Sequence, residues 1–288
     1  MKDSLLTEKQ KKKIIKAIKQ KKYSSIISIL EKIKTTHAGT PKTKDKRFVI
    51  REIIKGVIDN SRNPEIDFFN IGSFFCKRKE DVSKEIGVSL VWRGYKFNPS
   101  EVKDYLLKIA DDNNWEVREY AASAFAETLY YNRDFYNDIM ELTKHHSENV
   151  RRAVVFSALG LREQESLSKA FSIFEILMFD KSKYVKKNLG PFILGSYFGN
   201  KFPEETLKKL KQWSKIIDEN VKWNVIMSFN NSFGNKHPED ALEILRHFLG
   251  DVDLSVKRAL SSTLNFLRKR HQKLVDEFIK TYLTELAK

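Results

Sequence analysis

The sequence is poor in cysteine, glycine and proline, and each shortage excludes a class of protein. Its 288 residues contain one cysteine, Cys76, which excludes an internal disulfide framework and a cysteine-based zinc site. The 11 glycines and 6 prolines are too few for an all-β protein with many turns. No apolar run approaches the length of a membrane span, and no apolar signal region follows the lysine-rich N-terminus. We therefore expect an intracellular, cytoplasmic protein.

Motifs for small-molecule chemistry are also missing from the sequence. The six histidines form no metal-ligand spacing. No glycine-rich loop is followed by the Lys-Ser/Thr pair that nucleotide binding requires. We predict neither a metal ion nor a cofactor.

Positive charge, in contrast, is in large excess. There are 53 Lys and Arg against 38 Asp and Glu, a net charge of +15. Residues 1–60 carry 17 basic and 6 acidic residues, so most of the excess lies near the N-terminus. Such a surplus favours an anionic partner, with nucleic acid first and an acidic membrane second. A merely well-solvated surface is the alternative.

Five stretches share one pattern of a polar lead-in, a valine, a basic residue and an apolar helical run. They are NNWEVREYAASAF, SENVRRAVVFSAL, KYVKKNLGPFIL, ENVKWNVIMSF and LSVKRALSSTL, with their valines at Val117, Val150, Val185, Val221 and Val256. The valines are 33, 35, 36 and 35 residues apart, and similar steps backwards reach Val82 and Val49. A constant period in this range is typical of stacked helical repeats.

These repeats predict an all-α fold, a curved α-solenoid of about six to seven HEAT-like helical hairpins. Pro99, Pro203 and Pro238 fit helix starts, where a missing N–H costs nothing. Polar turns follow the first helices, and their side chains are suited to capping the second helices. Stacked hairpins bury a continuous core and leave a concave side.

The sequence also suggests a division of the chain. Residues 1–35 are expected to form basic capping helices at the N-terminus. Residues 36–47 are polar and are the best candidate for a linker or loop. Residues 48–288 are expected to form one domain, the repeat array, which a last helix from Gln272 to Leu286 closes.

In such a stack the second helices form the inner surface, and their first turns lie side by side, roughly 10 Å apart. One basic residue per repeat then makes a first row, and a second row follows one residue on. We predict that both rows and one tryptophan bind DNA: Arg118, Arg151, Lys186, Lys222 and Lys257, then Arg152, Lys187 and Arg258, with Trp223.

A structural role is the alternative for the first row. The basic residue can pair with the aspartate of the preceding turn and so hold the repeats in register. Asp112, Asp180, Asp218 and Asp251 are available for this. The second row has no such standing partner, which favours a binding surface there.

Three stretches resemble the AlkD-like HEAT-repeat DNA glycosylases, a DNA alkylation repair family. NNWEVREYA resembles the segment in which a tryptophan precedes a catalytic aspartate by four residues, here Trp115 and Glu119. NVRRAVVFSAL resembles the next repeat, whose groove arginine would be Arg152. YVKKNLGPFILGSYFGNKFPEE resembles a Lys-x-x-Gly helix that ends at a proline, and the matching residues are Lys187, Gly190 and Pro203.

The resemblance implies a monofunctional glycosylase that excises alkylated purines from double-stranded DNA. Trp115 and Glu119 would be catalytic. The sequence departs from the family pattern at two places that concern this catalytic assignment. Glutamate replaces aspartate, and Pro191 followed by Phe192 stands where the family usually has a tryptophan after the glycine.

Excision of an alkylated purine suits a carboxylate beside an aromatic residue, because the alkylated base is a cationic leaving group. A carboxylate then stabilises positive charge on the sugar, and an aromatic face holds the base. The alternative for Glu119 is a salt bridge with Arg151 or Arg152. For the chain, the alternatives are a non-catalytic nucleic-acid-binding protein and a protein–protein scaffold. We expect a monomer.

Overall fold

The structure is a computed structural model, and it describes residues 4–35 and 39–286. All regular structure within those ranges is helical, so the predicted all-α class is confirmed. The chain divides into two compact units, Met1–Leu167 and Ser168–Lys288. The boundary between the two units, at residue 167, lies within the repeat array expected over residues 48–288.

The first unit contains helices α1 to α9. They are α1 (Glu8–Lys19), α2 (Tyr23–Leu30), α3 (Thr43–Asn60), α4 (Pro64–Cys76), α5 (Asp81–Val91), α6 (Pro99–Ala110), α7 (Trp115–Tyr131), α8 (Phe135–Leu142) and α9 (Glu148–Ser157). Helix α5 packs between α4 and α7, and α7 packs against α6 and α9. Successive hairpins therefore stack in chain order, as HEAT-like repeats do.

The second unit repeats this arrangement. Its helices are α10 (Leu167–Leu177), which starts at the boundary, α11 (Lys183–Asn188), α12 (Pro203–Trp213), α13 (Glu219–Met227), α14 (Ser232–Lys236), α15 (Pro238–Leu245), α16 (Leu254–Arg268) and α17 (Gln272–Leu286). A π-helix, Leu189–Gly199, follows α11 directly. Helix α13 packs against this π-helix and against α16, which packs on α17.

The repeated valines are core residues, as their period predicts. Each is the third residue of its helix and is at most 1% exposed: Val117 in α7, Val150 in α9, Val185 in α11, Val221 in α13 and Val256 in α16. Because the valine is buried, the basic residue after it is turned about 100° around the helix, towards the edge of the packed face.

The polar turns cap these helices as expected. A side-chain oxygen of the residue before each helix accepts a hydrogen bond from main-chain N–H groups of the first turn; these residues are Asn114, Ser147, Ser182, Asp218 and Asp253. Pro99, Pro203 and Pro238 are the first residues of α6, α12 and α15, which confirms that prediction.

The segment expected to be a linker is packed into the first unit. Helix α3 begins at Thr43, and Asp45 and Lys46 on it are fully buried. The Asp45 carboxylate accepts hydrogen bonds from the main-chain N–H groups of Leu5 and Leu6, at 3.1 and 3.4 Å. These two polar side chains form hydrogen bonds inside the first unit. Residues 1–3 and 36–38, within the expected capping helices and linker, lie outside the described residues.

Candidate nucleic-acid interface

The first turn of α7 carries the predicted catalytic pair. Asn114 caps the helix by accepting a hydrogen bond from the Glu116 N–H at 3.0 Å. Trp115 opens the helix and is 44% exposed. Glu119 lies four residues on, so both side chains belong to the same face of α7. The structure therefore brings a partly exposed indole and a carboxylate together at one helix end.

The Glu119 carboxylate pairs with a guanidinium from the next repeat. Its Oε1 contacts Nη2 of Arg152 on α9. The Glu119 side chain is 41% exposed, whereas the Arg152 side chain is 5% exposed. The arginine also lies over the Phe156 ring, 4.6 Å from its centroid. The carboxylate is thus held by a buried cation and remains open to solvent on its other side.

The Glu119–Arg152 pair shows that Arg152 has a partner, and it supports the structural alternative for Glu119. The expectation that the second row lacks a standing partner is wrong for Arg152. A salt bridge between Glu119 and Arg152 was the structural alternative, and it is present. The physical reason is burial, because a guanidinium removed from water requires a nearby carboxylate and hydrogen-bond acceptors.

Arg118 and Arg151 hold the turns that precede their own helices. Each donates from Nη1 to the two main-chain oxygens that lie six and five residues earlier, at 2.7 and 2.9 Å. Both side chains are half-buried. The two arginines therefore hold these turns in place, and the turn held by Arg118 leads directly into Trp115 at the start of α7.

Lys186 and Lys222, in the second unit, reach forward to the next repeat. Lys186 Nζ donates to Asn220 Oδ1 at 2.8 Å, and Lys222 Nζ lies 2.6 Å from Asp251 Oδ2. The ladder proposed as the structural alternative thus exists at Lys222, but with the aspartate of the following turn rather than the preceding one. Asp218, in the preceding turn, instead caps α13.

The remaining predicted cations are exposed. They are Lys187, Lys257 and Arg258, all in the second unit. Within the part of the chain that the structure describes, none of the three is within ion-pair distance of a carboxylate. They are the predicted residues whose charge remains available to an anionic ligand.

Trp223 and Arg258 line one shallow cavity of about 550 Å³ in the second unit. Lys183, which the repeat pattern did not single out, lines it as well. Trp223 is half-buried, and Lys186 lies 5.5 Å from its ring centroid. Asp253 also lies here, and hydrogen bonds, first from the Val256 N–H and then from Ser255, lower the pKa of its carboxyl.

Pro191 and Phe192 lie in the π-helix of the second unit. The main-chain oxygen of Pro191 accepts a hydrogen bond from Asn231 Nδ2 at 2.9 Å. Ser228 Oγ donates to the Gly190 oxygen at 3.2 Å. A Cβ at Gly190 would lie 2.9 Å from the Asn224 main-chain oxygen, so the glycine permits this close packing. Phe192 is 49% exposed.

The sequence did not reveal a buried charge cluster beside the predicted catalytic pair. Lys46 Nζ lies 2.9 Å from Glu85 Oε1 and 2.7 Å from Glu116 Oε1. The Lys46 and Glu85 side chains are fully buried. Burial raises the pKa of Glu85 to about 7, against the opposing effect of Lys46. One lysine within a lysine-rich segment gave no signal that could have identified it.

Neither a metal-binding cluster nor a membrane-spanning helix occurs among the described residues. The described residues contain no group of three or more His, Cys, Asp or Glu placed to hold a metal ion. Over the same residues, no helix combines the length and apolarity needed to cross a membrane. Cys76 is buried, and burial raises the pKa of its thiol.

Comparison with known proteins identifies the family. The model of the DNA alkylation repair enzyme family matches residues 49–193, which is half of the chain and contains Trp115, Glu119 and Arg152. The chain therefore belongs to this family, and the match supports a role in DNA alkylation repair with DNA as the partner. None of the curated proteins that were compared matches the chain.

Several solved structures of helical repeat proteins are similar to the chain at low scores. The E. coli protein YibA is 15% identical, with a TM-score of 0.40 over 94% of this chain and 100% of that one. A designed armadillo repeat protein in complex with the peptide (KR)4 is 14% identical, with a TM-score of 0.34 over 91% and 100%. Such low identities and scores say nothing about activity.

Proposed function

We propose that the chain binds double-stranded DNA and acts as a monofunctional glycosylase that excises alkylated, cationic purines. The observation that carries this proposal is the pairing of the exposed Trp115 with the half-exposed Glu119 on one face of α7, inside the region that matches the family. The surface offers an aromatic face and an anion at one place.

The reaction requires little acid assistance. Alkylation at a ring nitrogen makes the purine cationic, so the C1′–N bond breaks with its electron pair moving to the base, which leaves neutral. Positive charge then develops on the deoxyribose. Glu119 stabilises this charge, and Trp115 holds the cationic base through its ring face. Water adds at C1′ and releases a proton.

Arg152 has a positioning role in this proposal. Its buried guanidinium directs one carboxylate oxygen of Glu119 towards α9, and the side chain stays 41% exposed. Glutamate is longer than aspartate by one C–C bond, about 1.5 Å. The arginine holds this longer side chain back against α9. The same pairing reduces the negative charge that Glu119 can offer, so we expect a modest rate.

DNA binding is supported by the position of the exposed cations. Lys183 and Lys187 lie on the short helix α11, and Lys257 and Arg258 lie near the start of α16. All four side chains are exposed and are therefore accessible to anions. Phosphates are such anions, and they bind Lys and Arg without regard to base sequence.

The test is base release from duplex DNA that carries N-methylated purines. We expect release by the wild type and a loss of about 100-fold or more in Glu119→Gln. Glu127→Gln is the matched control, because Glu127 also lies on α7 and pairs with an arginine of the next repeat, Arg162, at 3.7 Å. The control should keep its rate within twofold. No release above background by the wild type would overturn the proposal.

A non-catalytic DNA-binding protein is the second candidate, and the Glu119–Arg152 pair is the observation that favours it. In that case Glu119 holds two repeats together and no base is released. Duplex binding would still weaken steeply as salt rises, because phosphate contacts release counterions. Binding without base release would select this candidate.

A further inference from the structure

Lys46 is an unusual residue in this molecule because its charged end is removed from solvent. Its side chain is 0% exposed, and Nζ contacts Glu116 Oε1 at 2.7 Å, Glu85 Oε1 at 2.9 Å and Thr40 Oγ1 at 3.1 Å. The ammonium also lies 4.8 Å from the ring centroid of Tyr120. Burying a lysine is unfavourable unless its partners are fixed, so these contacts are strongly coupled.

The contacts join three helices. Lys46 is on α3, Glu85 on α5, and Glu116 and Tyr120 on α7. Thr40 strengthens the junction, because its hydroxyl donates to Glu116 Oε2 at 2.7 Å. The ammonium therefore connects the segment before the repeats to the start of α7.

The residues of α7 in this cluster alternate with the predicted catalytic pair. Glu116 follows Trp115 directly, and Tyr120 follows Glu119 directly. Adjacent helical residues are about 100° apart around the helix axis. Any rotation of the first turn that moved Glu116 away from Lys46 would move Trp115 and Glu119 by the same angle.

We propose that Lys46 is a positioning residue for the Trp115–Glu119 site, and that its buried contact with Glu116 fixes the rotation of the first turn of α7. This inference rests on the proposed function, since it assigns to Lys46 the alignment of that site. Lys46 does not touch the reacting atoms. It acts through Glu116, and Glu85 partly balances its charge when Glu116 moves.

The first test variant is Glu116→Ala, which detaches α7 and leaves the Lys46–Glu85 pair intact. We expect kcat for base release to fall about tenfold or more, with KM within twofold, because the altered group orients the reacting side chain rather than binding DNA. Amide hydrogen exchange in residues 118–122 should become at least tenfold faster. Lys46→Met should change both quantities in the same direction, with a lower Tm.

The control is Lys103→Ala, which removes a 2.8 Å ion pair with Asp138 in the same unit without touching the start of α7. It should leave kcat and the exchange of residues 118–122 unchanged. Unchanged exchange in Glu116→Ala overturns the inference whatever the activity. Faster exchange with unchanged kcat overturns the positioning role alone. A wild type that releases no base overturns the proposed function, and this inference with it.

Discussion

The two units use the same repeat position differently. In the first unit, Arg152, which stands two residues after a repeated valine, is buried against Glu119. In the second unit, Lys187 and Arg258 are exposed. Equivalent positions in the repeat thus hold a structural cation in one unit and a solvated cation in the other.

The difference shows that a repeated basic residue is not by itself evidence of a binding surface. What decides its role is the neighbour that the adjacent turn or repeat supplies. Glu119 provides a partner for Arg152, whereas the residues around Arg258 leave its charge in solvent. Arg152 of the first unit therefore has a structural contact, whereas Lys187 and Arg258 of the second unit are the exposed cations to which the proposed function assigns phosphate contacts.

The largest expected effect is a pH dependence of stability, and it is caused by the buried Glu85 carboxyl in the first unit. The pKa of Glu85 is raised by burial to about 7 from 4.5. The unfolded chain releases this proton at lower pH than the folded one, so stability falls as pH rises from about 4.5 to 7 and is level above that. The facing groups are Lys46, Glu116, Asp81 and Tyr120. The contribution is about 3 kcal/mol at most.

The measurement is denaturant unfolding of the wild type and Glu85→Gln at several pH values. The difference in free energy of unfolding between the two proteins should change across that window. Glu175→Gln, which removes the exposed partner of Lys209 in the second unit, is the control and should follow the wild type. Parallel curves for wild type and Glu85→Gln would contradict this account.

The next largest effect is expected in the free energy of unfolding, when one arginine of each unit is replaced. Arg152 and Arg258 both stand two residues after a repeated valine. Arg152→Met should lower the free energy of unfolding by about 2 kcal/mol, since it removes a buried partner of a half-exposed carboxylate. Arg258→Met should change it by less than about 0.5 kcal/mol, as exposed substitutions usually do. Equal losses in chemical denaturation would remove the contrast between the units.

Loss of exposed cations in the second unit should affect DNA binding more than stability. Lys187→Gln/Arg258→Gln should weaken duplex binding about tenfold, and the slope of log K against log salt should shrink by about two. Lys208→Gln/Lys215→Gln removes the same charge from exposed positions outside the first turns of the second helices. If this control weakens binding equally, bulk charge rather than position governs affinity.

Much of the fold could be predicted from the sequence, because the repeat leaves a regular signal. The period of the valines located the second helices, and the polar residues before them are the observed caps. Three prolines marked helix starts correctly. These features are local, so they follow from spacing and residue type alone.

The partners of the charged residues could not be predicted in the same way. The Glu119–Arg152 pair was left as an alternative to a catalytic Glu119, because the sequence does not show which side chain of the next repeat the carboxylate contacts. The forward pairing of Lys222 with Asp251 depends on the offset between repeats, which the sequence does not encode locally. Lys46 was counted with the basic N-terminus, because burial of one lysine depends on contacts with residues 39 and 70 positions away.

The most direct test of the central claim is the single-turnover rate of base release from methylated duplex DNA, compared between Glu119→Gln and Glu127→Gln. Both substitutions remove one carboxylate from α7 that pairs with an arginine of the next repeat. The account predicts a rate at least about 100-fold lower for Glu119→Gln than for Glu127→Gln. Equal rates would contradict a catalytic role for Glu119.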